Sequence, residues 1–228
     1  MSTYVFSDLH GRYDLYEQIN NFLKDGDTAY CLGDTIDRGP ESWRTLNAVI
    51  NNPKMELLLG NHEHLLAHAM LHYISGESNY YANAFNGCIE NGGYETFESW
   101  VKDGMDKEWA TRLLHLSKMR IYDNESGMHI VLTHAGFTPG RDQYSVYDLV
   151  WDRKHMEDDW PADKKFQNTL IIHGHTPVQL VDKNATDAIW YGQGHKIDID
   201  CGSVWSGRTC LFDLDTLDEH YFQGPEGE

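Results

Sequence analysis

The run Tyr4-Val5-Phe6-Ser7-Asp8-Leu9-His10-Gly11-Arg12-Tyr13 reads as a strand, a loop and the first turn of a helix. Tyr4 to Phe6 are β-favouring residues. Ser7 to Gly11 form a turn that carries a carboxylate and an imidazole, and from Tyr13 to Leu23 the apolar residues Leu15, Ile19, Phe22 and Leu23 recur at helical spacing. The same order then repeats. Ala29 to Leu32 is a strand ending in Gly33-Asp34, Glu41 to Ile50 a helix, and Met55 to Leu59 a third strand ending in Gly60-Asn61-His62-Glu63. Strands alternating with helices in this way build βαβ units and a parallel sheet, so the fold class is α/β.

The helix after Glu63 is expected to run through Leu65, Leu66, Ala69 and Met70 toward Gly76, with a surface insertion rich in Asn, Gly and Tyr over about 76–93. Helical spacing returns at Glu95 to Lys102 and Trp109 to Leu116. Met119 to Tyr122 and His129 to Leu132 read as paired strands joined by a turn at Asp123 to Gly127. Thr133-His134-Ala135-Gly136 closes that hairpin. The polar stretch over about 140–167 reads as a long active-site loop with some local helix. Leu170-Ile171-Ile172 is a buried strand ending in His173-Gly174-His175-Thr176-Pro177, and Val178 to Val181, His195 to Ile199 and Thr209 to Leu214 read as further strands.

A length of 228 residues fits one domain spanning 1–228. The start lacks a basic apolar leader, and no window approaches the roughly 20 apolar residues that span a bilayer, so a soluble cytoplasmic protein without membrane partners is expected. Cys31, Cys88, Cys201 and Cys210 form no CxxC pair and read as buried thiols of a reducing compartment. The formal charge of −18, from 18 basic and 36 acidic residues, repels phosphate backbones and argues against a nucleic-acid partner. The 13 histidines cluster near Gly and Asp, which directs attention to metal ligation.

In open α/β folds, ligands bind beyond the carboxyl ends of the strands. Asp8 and His10 follow the first strand, Asp34 the second, Asn61 and His62 the third, His134 a fourth and His175 a fifth. Oxygen donors mixed with imidazoles suit Mn²⁺, Fe²⁺ or Zn²⁺ better than Ca²⁺. If two ions share one carboxylate, Asp34 is the candidate, because its strand is expected between the others and Gly33 lets the backbone approach.

Asp8-Leu9-His10-Gly11, Gly33-Asp34-Thr35-Ile36-Asp37-Arg38-Gly39, Gly60-Asn61-His62-Glu63, His134-Ala135-Gly136 and Gly174-His175-Thr176 resemble the five ordered blocks of the calcineurin-like metallophosphoesterases, in the phosphoprotein phosphatase branch. Asn91-Gly92-Gly93 and Trp151-Asp152-Arg153 add a resemblance to the phage lambda-type bacterial protein phosphatases. The resemblance implies a four-layer α/β/β/α sandwich with two divalent ions, Mn²⁺ foremost. Asp8, His10 and Asp34 would hold one ion, and Asp34, Asn61, His134 and His175 the other. It further implies that Arg38 and Arg153 clamp the phosphate, beside Asn61, and that His62, oriented by Asp37, protonates the leaving oxygen. A hydroxide bridging the ions would attack phosphorus in line.

The activity so implied is hydrolysis of phosphomonoesters, phosphoserine and phosphothreonine of proteins above all, with small phosphoesters also accepted. Leu59 stands where many protein phosphatases of the branch carry Arg, a feature shared with symmetrical diadenosine tetraphosphate hydrolases, so a dinucleotide substrate is the alternative. A catalytically silent binding module is a third, against which the full ligand set argues. Substrate choice should reside in the 76–93 and 140–167 loops. More ordinary roles are expected elsewhere: support from behind the site for His173, a packed or solvated face for His64, His68 and His72, and packing for Trp100, Trp109, Trp151, Trp160 and Trp205. The acidic run Glu157-Asp158-Asp159 reads as a solvated loop. Oligomeric state is left open by the sequence.

Overall fold

The computed structural model describes residues 1–76 and 82–226, with the backbone alone at Ala82. In chain order the elements are β1 (Thr3–Phe6), α1 (Tyr13–Phe22), β2 (Thr28–Cys31), α2 (Ser42–Asn51), β3 (Met55–Leu57), α3 (Asn61–Ser75), α4 (Ala82–Glu90), α5 (Tyr94–Lys102) and α6 (Glu108–Leu114). They continue with β4 (Met119–Asp123), β5 (His129–Thr133), α7 (Val146–Val150), β6 (Thr169–His173), α8 (Val178–Val181), β7 (Ile189–Tyr191), β8 (Lys196–Asp198), α9 (Ser203–Ser206), β9 (Arg208–Asp213) and β10 (Glu219–Gln223). Two five-stranded sheets result, ordered β10-β9-β1-β2-β3 and β4-β5-β6-β8-β7. The central strands run parallel, β1 with β2 and β3 in one sheet and β5 with β6 and β8 in the other, while the outer pairings are antiparallel.

Alternation along each strand divides the core into layers, because successive side chains point to opposite faces. Val5 of β1 and Phe212 of β9 meet Ile130, Leu132, Leu170, Ile172 and Ile197 of the second sheet in one buried cluster between the sheets. Their neighbours Tyr4, Phe6, Ala29 and Cys31 face the other way, against Leu15, Ile19, Leu46, Leu66 and Trp100 of the helices. On the far side of the second sheet, Val131 and Ile171 are covered by Phe137, Leu149, Val150 and Trp160. The molecule is thus helices, sheet, sheet and a thin fourth layer built largely from the 140–167 segment, as the sandwich reading implied. Among the described residues no helix is long and apolar enough to cross a membrane.

Two sequence expectations need correction, and two strands were missed. The 76–93 segment is not wholly loop: residues 77–81 lie outside the described part, but α4 occupies Ala82–Glu90 and lies along α3, with Cys88 buried. Its Asn and Gly content lowers helix propensity, and packing against a neighbour overrides that. Val178–Val181 is a helical turn rather than a strand. Leu180 N–H bonds back to Pro177 O, and only Val178 is buried, leaving Leu180 70% and Val181 49% exposed. The strands β7 and β10 were not foreseen. Each is an edge strand: β7 is too short, at three residues, to show an alternation, and the mixed polar and aromatic composition of β10 obscures it.

Phe212 is fully buried at the centre of the inter-sheet cluster. Phe212→Ala should lower the unfolding free energy by about 3–5 kcal/mol, read as a shift of the denaturant midpoint at unchanged slope.

Candidate metal and phosphate site

The loops after β1 and β2 are laced together by backbone hydrogen bonds from Asp8 N to Gly33 O (3.1 Å), His10 N to Asp34 O (2.9 Å) and Gly11 N to Thr35 O (2.8 Å). This lacing holds an unusual backbone. Asp8, His10, Asp34, Asp37, Arg38 and His175 all have φ between 43° and 71°, a left-handed region that costs a non-glycine residue about 1–2 kcal/mol. Gly33 completes the arrangement: at φ 113° a Cβ there would lie 2.5 Å from the Gly60 backbone. The two strand ends therefore close to a distance that no side chain at this position allows.

Asp34 sits at the centre. Its Oδ2 is 3.8 Å from His10 Nε2, 3.8 Å from His62 Nε2 and 3.4 Å from His134 Nε2, and its Oδ1 accepts from His62 N at 3.0 Å. Two trios of ligand atoms, each within 4.8 Å of one another, include it: His10, Asp34 and His62, and Asp34, His134 and His175. Asn61 Oδ1 joins the second, 2.8 Å from His134 Nε2. Asp8, expected beside His10, belongs to neither trio, and His62 stands in the first instead. Asp8 nevertheless borders the site. Its Oδ2 accepts from Ser7 Oγ and, at 3.0 Å, from His175 N, while its Oδ1 is buried with no hydrogen-bond partner.

Three of these imidazoles, those of His10, His134 and His175, are oriented by backbone carbonyls, which only accept and so fix the proton on the facing nitrogen. His10 Nδ1 donates to Ile36 O (2.8 Å) and His134 Nδ1 to Leu32 O (3.0 Å), which turns Nε2 of both toward Asp34. His175 is reversed: Nε2 donates to Trp151 O at 3.1 Å, leaving Nδ1. A buried carboxylate oxygen without a partner, a carboxylate shared by two trios and imidazoles clustered around it form a donor set that fits divalent transition-metal ions.

The charges are strongly coupled. Burial works against ionisation of Asp34, yet the charges of His134 and His62 outweigh it and hold the carboxyl well below the usual range. Burial likewise opposes protonation of His134, and the Asp34 carboxylate reverses that, pushing its pKa up to about 9. His10 and His175 are held well below the ordinary imidazole value, chiefly by burial and then by their cationic neighbours. A metal ion taking His134 must displace its proton.

Beside this centre, His62 Nδ1 donates to Asp37 Oδ2 at 2.7 Å, and Asp37 Oδ1 accepts from the Thr96 hydroxyl at 2.6 Å. Burial alone would depress the His62 pKa, but the Asp34 charge and the Asp37 hydrogen bond raise it. Arg38 spans the two rings, Nη1 donating to His10 Nε2 at 2.9 Å and Nη2 to His62 Nε2 at 2.8 Å, and its backbone N–H bonds to Gly92 O. Arg153 lies on the other side, with Nε donating to Thr176 Oγ1 and Nη2 to His175 O, both at 3.1 Å. All ten residues singled out from sequence thus converge on one end of the sandwich.

Sequence reasoning missed the supports. Glu63, quoted with its block but given no role, is fully buried and accepts from Asp34 N, Thr35 N and Thr35 Oγ1 at 2.8 Å each. Thr96 carried no local signal at all. His173 is fully buried, with Nε2 2.5 Å from the Tyr191 hydroxyl and its ring against His155. His64 and His68 meet Nε2 to Nε2 at 3.1 Å and enter no ligand trio among the described residues. Trp100, Trp109 and Trp160 are buried in the core, and Trp205 is exposed.

Comparison with known proteins adds independent findings. The profile of the calcineurin-like phosphoesterase family matches residues 1–207. The serine/threonine-protein phosphatase 2 of Salmonella typhimurium is 29% identical over 92% of both chains. The symmetrical bis(5'-nucleosyl)-tetraphosphatase of Delftia acidovorans is 40% identical over 66% of this chain, which spans about half, 48%, of that relative. Among solved structures, a serine/threonine phosphatase from Saccharomyces cerevisiae superposes with a TM-score of 0.63 at 12% identity, covering 100% of this chain and 81% of that one. A metallophosphoesterase from Sphaerobacter thermophilus gives 0.57 at 16% identity, covering 99% and 88%. At those identities the structures speak for the fold.

Because the Asp37 hydrogen bond helps raise the His62 pKa, Asp37→Asn should lower it. An NMR titration of the His62 ring in metal-free protein checks this, and an unmoved or higher pKa would contradict the pairing.

Proposed function

This chain belongs to the calcineurin-like phosphoesterase family, and from that membership we propose that it hydrolyses phosphomonoesters with two divalent metal ions, preferring phosphoserine and phosphothreonine in proteins. The observation that carries the reading is Asp34, common to two ligand trios and faced by the His62–Asp37 pair. Asp8, His10 and Asp34 hold one ion, with Asp34, Asn61, His134 and His175 on the other. Mn²⁺ is our choice of occupant, and Fe²⁺ and Zn²⁺ suit the same donors. When bound, the ions activate water and neutralise charge on the phosphoryl oxygens.

The chain's own residues do the rest. Arg38 and Arg153 approach from opposite sides and hold the non-bridging oxygens, a task suited to the planar guanidinium fork. His62, its protonated form favoured by Asp34 and Asp37, delivers a proton to the departing oxygen. Asp37 fixes the ring through Nδ1, so that Nε2 stands beside Arg38, and Thr96 fixes Asp37.

Two observations support a protein substrate. The relative matched over 92% of both chains is a protein phosphatase. The net charge of −18 also opposes a tetraphosphate more strongly than a monoester. The dinucleotide reading draws on the 40% identity to a symmetrical tetraphosphatase. Leu59 adds little to it, since the side chain is fully buried in one apolar cluster with Val131, Phe137 and Leu149. The four cysteines are free and buried, which accords with a cytoplasmic setting.

His62→Asn should slow hydrolysis of a phosphoserine peptide by about 100-fold or more, and of p-nitrophenyl phosphate far less, because an aryl oxygen leaves without help. Equal losses on the two substrates would remove His62 from the acid role. With Mn²⁺ supplied, kcat/KM should be higher for phosphopeptides than for diadenosine tetraphosphate, and the reverse order would select the dinucleotide reading.

A further inference from the structure

Lys196 is the one fully buried lysine among the described residues, and it lies on β8, one strand away from the strand that leads into His175. Its Nζ donates to the Thr138 hydroxyl at 2.9 Å and to the His155 carbonyl at 2.5 Å, and it lies 5.4 Å from the centre of the Tyr191 ring. Both acceptors are uncharged. Enclosing an ammonium on such terms is costlier than enclosing an apolar side chain of the same length, so packing does not account for a lysine here. Burial draws its pKa down to about 8, which leaves the charged form in the majority at neutral pH.

The two acceptors are far apart in sequence and adjacent in space. Thr138 and His155 are the two ends of one loop, and between them lie α7 and Arg153. Left to themselves they meet only at 3.5 Å, from Thr138 Oγ1 to His155 O, the outer limit of a hydrogen bond. The ammonium joins both. The same end of the loop is met by the Tyr191 hydroxyl, 3.3 Å from His155 Nδ1, and Trp160 stacks on His195, the residue before Lys196, at 4.5 Å between ring centres. Arg153, two residues before His155, spends Nε–H and one Nη2–H on Thr176 and His175. Its outer N–H groups are left as a fork.

We propose that Lys196 is a positioning residue for the phosphate clamp: its ammonium closes the base of the 138–155 loop and so holds the Arg153 guanidinium against Thr176 and the His175 carbonyl. This rests on the reading of Arg153 as a phosphate-binding group. Lys196 touches neither substrate nor metal. It acts through the loop, so its loss shows in substrate binding and loop opening while the ion ligands stay in place.

Lys196→Met keeps the length of the side chain and removes the charge. For p-nitrophenyl phosphate with Mn²⁺, KM should rise about ten-fold with kcat changed less, bound metal should stay at the wild-type level by elemental analysis, and amides of 139–154 should exchange hydrogen faster. Added to Arg153→Ala, Lys196→Met should raise KM no further, because both act on the same contact. Unchanged exchange in 139–154, or KM effects of the two substitutions that multiply, would overturn the proposal. If Lys196→Met does not fold, Thr138→Val removes one acceptor alone and should move exchange and KM in the same direction by a smaller factor, with no movement counting against the proposal. An unchanged KM in Arg153→Ala together with faster exchange in Lys196→Met would place the failure in the clamp reading. A raised KM in Arg153→Ala with normal exchange in Lys196→Met would place it in Lys196.

Discussion

A single buried carboxylate, Asp34, sets the terms for the whole end of the sandwich. It is ringed by three imidazoles whose Nε2 atoms lie 3.4 to 3.8 Å from it, and a charge so enclosed is tolerable only while every neighbour is held in register. The rest of the architecture serves that register. Parallel strands place the loops of both halves at one end, the Gly33 backbone closes on Gly60, and Glu63 ties down the amides of Asp34 and Thr35 from below. Carbonyls of Leu32, Ile36 and Trp151 turn the rings. Removing any of these supports leaves the ligands present but misdirected.

The two sheets contribute unequally. The first supplies Asp8, His10, Asp34 and, through the start of α3, Asn61 and His62, all within the first third of the chain. The second supplies His134 and His175 and a long covering segment that brings in Arg153. That segment is fastened at several points: by the Ser145–Asp148 capping box at the start of α7, by the Tyr144 hydroxyl on Thr138 O, by Trp160 on His195 and by Lys196. It behaves as a layer of the fold as much as a loop, which reconciles its polar composition with the apolar cluster beneath it.

Much of this is legible in the residues alone, and the reason is chemical. Carboxylates and histidines placed directly after β-favouring runs are hard to explain by packing, so Asp8, Asp34, His134 and His175 stand out without coordinates. Helices such as α1 and α2 carry clear apolar periodicity. What escapes is whatever depends on contacts between distant segments. Thr96 bonds Asp37 from 59 positions away and Lys196 bonds Thr138 from 58, and neither residue type at those places announces a partner. Helix α4 escapes because its propensity is poor and its stability comes from α3, and β7 and β10 because edge strands need no strict alternation. The backbone at Asp8, His10 and Arg38 escapes entirely, since nothing in a side chain's identity discloses that its φ is positive.

That last property bears on how tolerance to substitution would be distributed around the site. Six side chains with different duties share a twist that glycine, asparagine and aspartate adopt with least resistance and β-branched residues resist most. A survey of functional variants would accordingly be filtered twice, by the torsions the loop tolerates and by the chemistry the reaction needs. At Asp8 and Asp34 the two filters admit overlapping residues. At His10, Arg38 and His175 they pull apart, and there a residue retained against its own conformational preference testifies to chemical need alone.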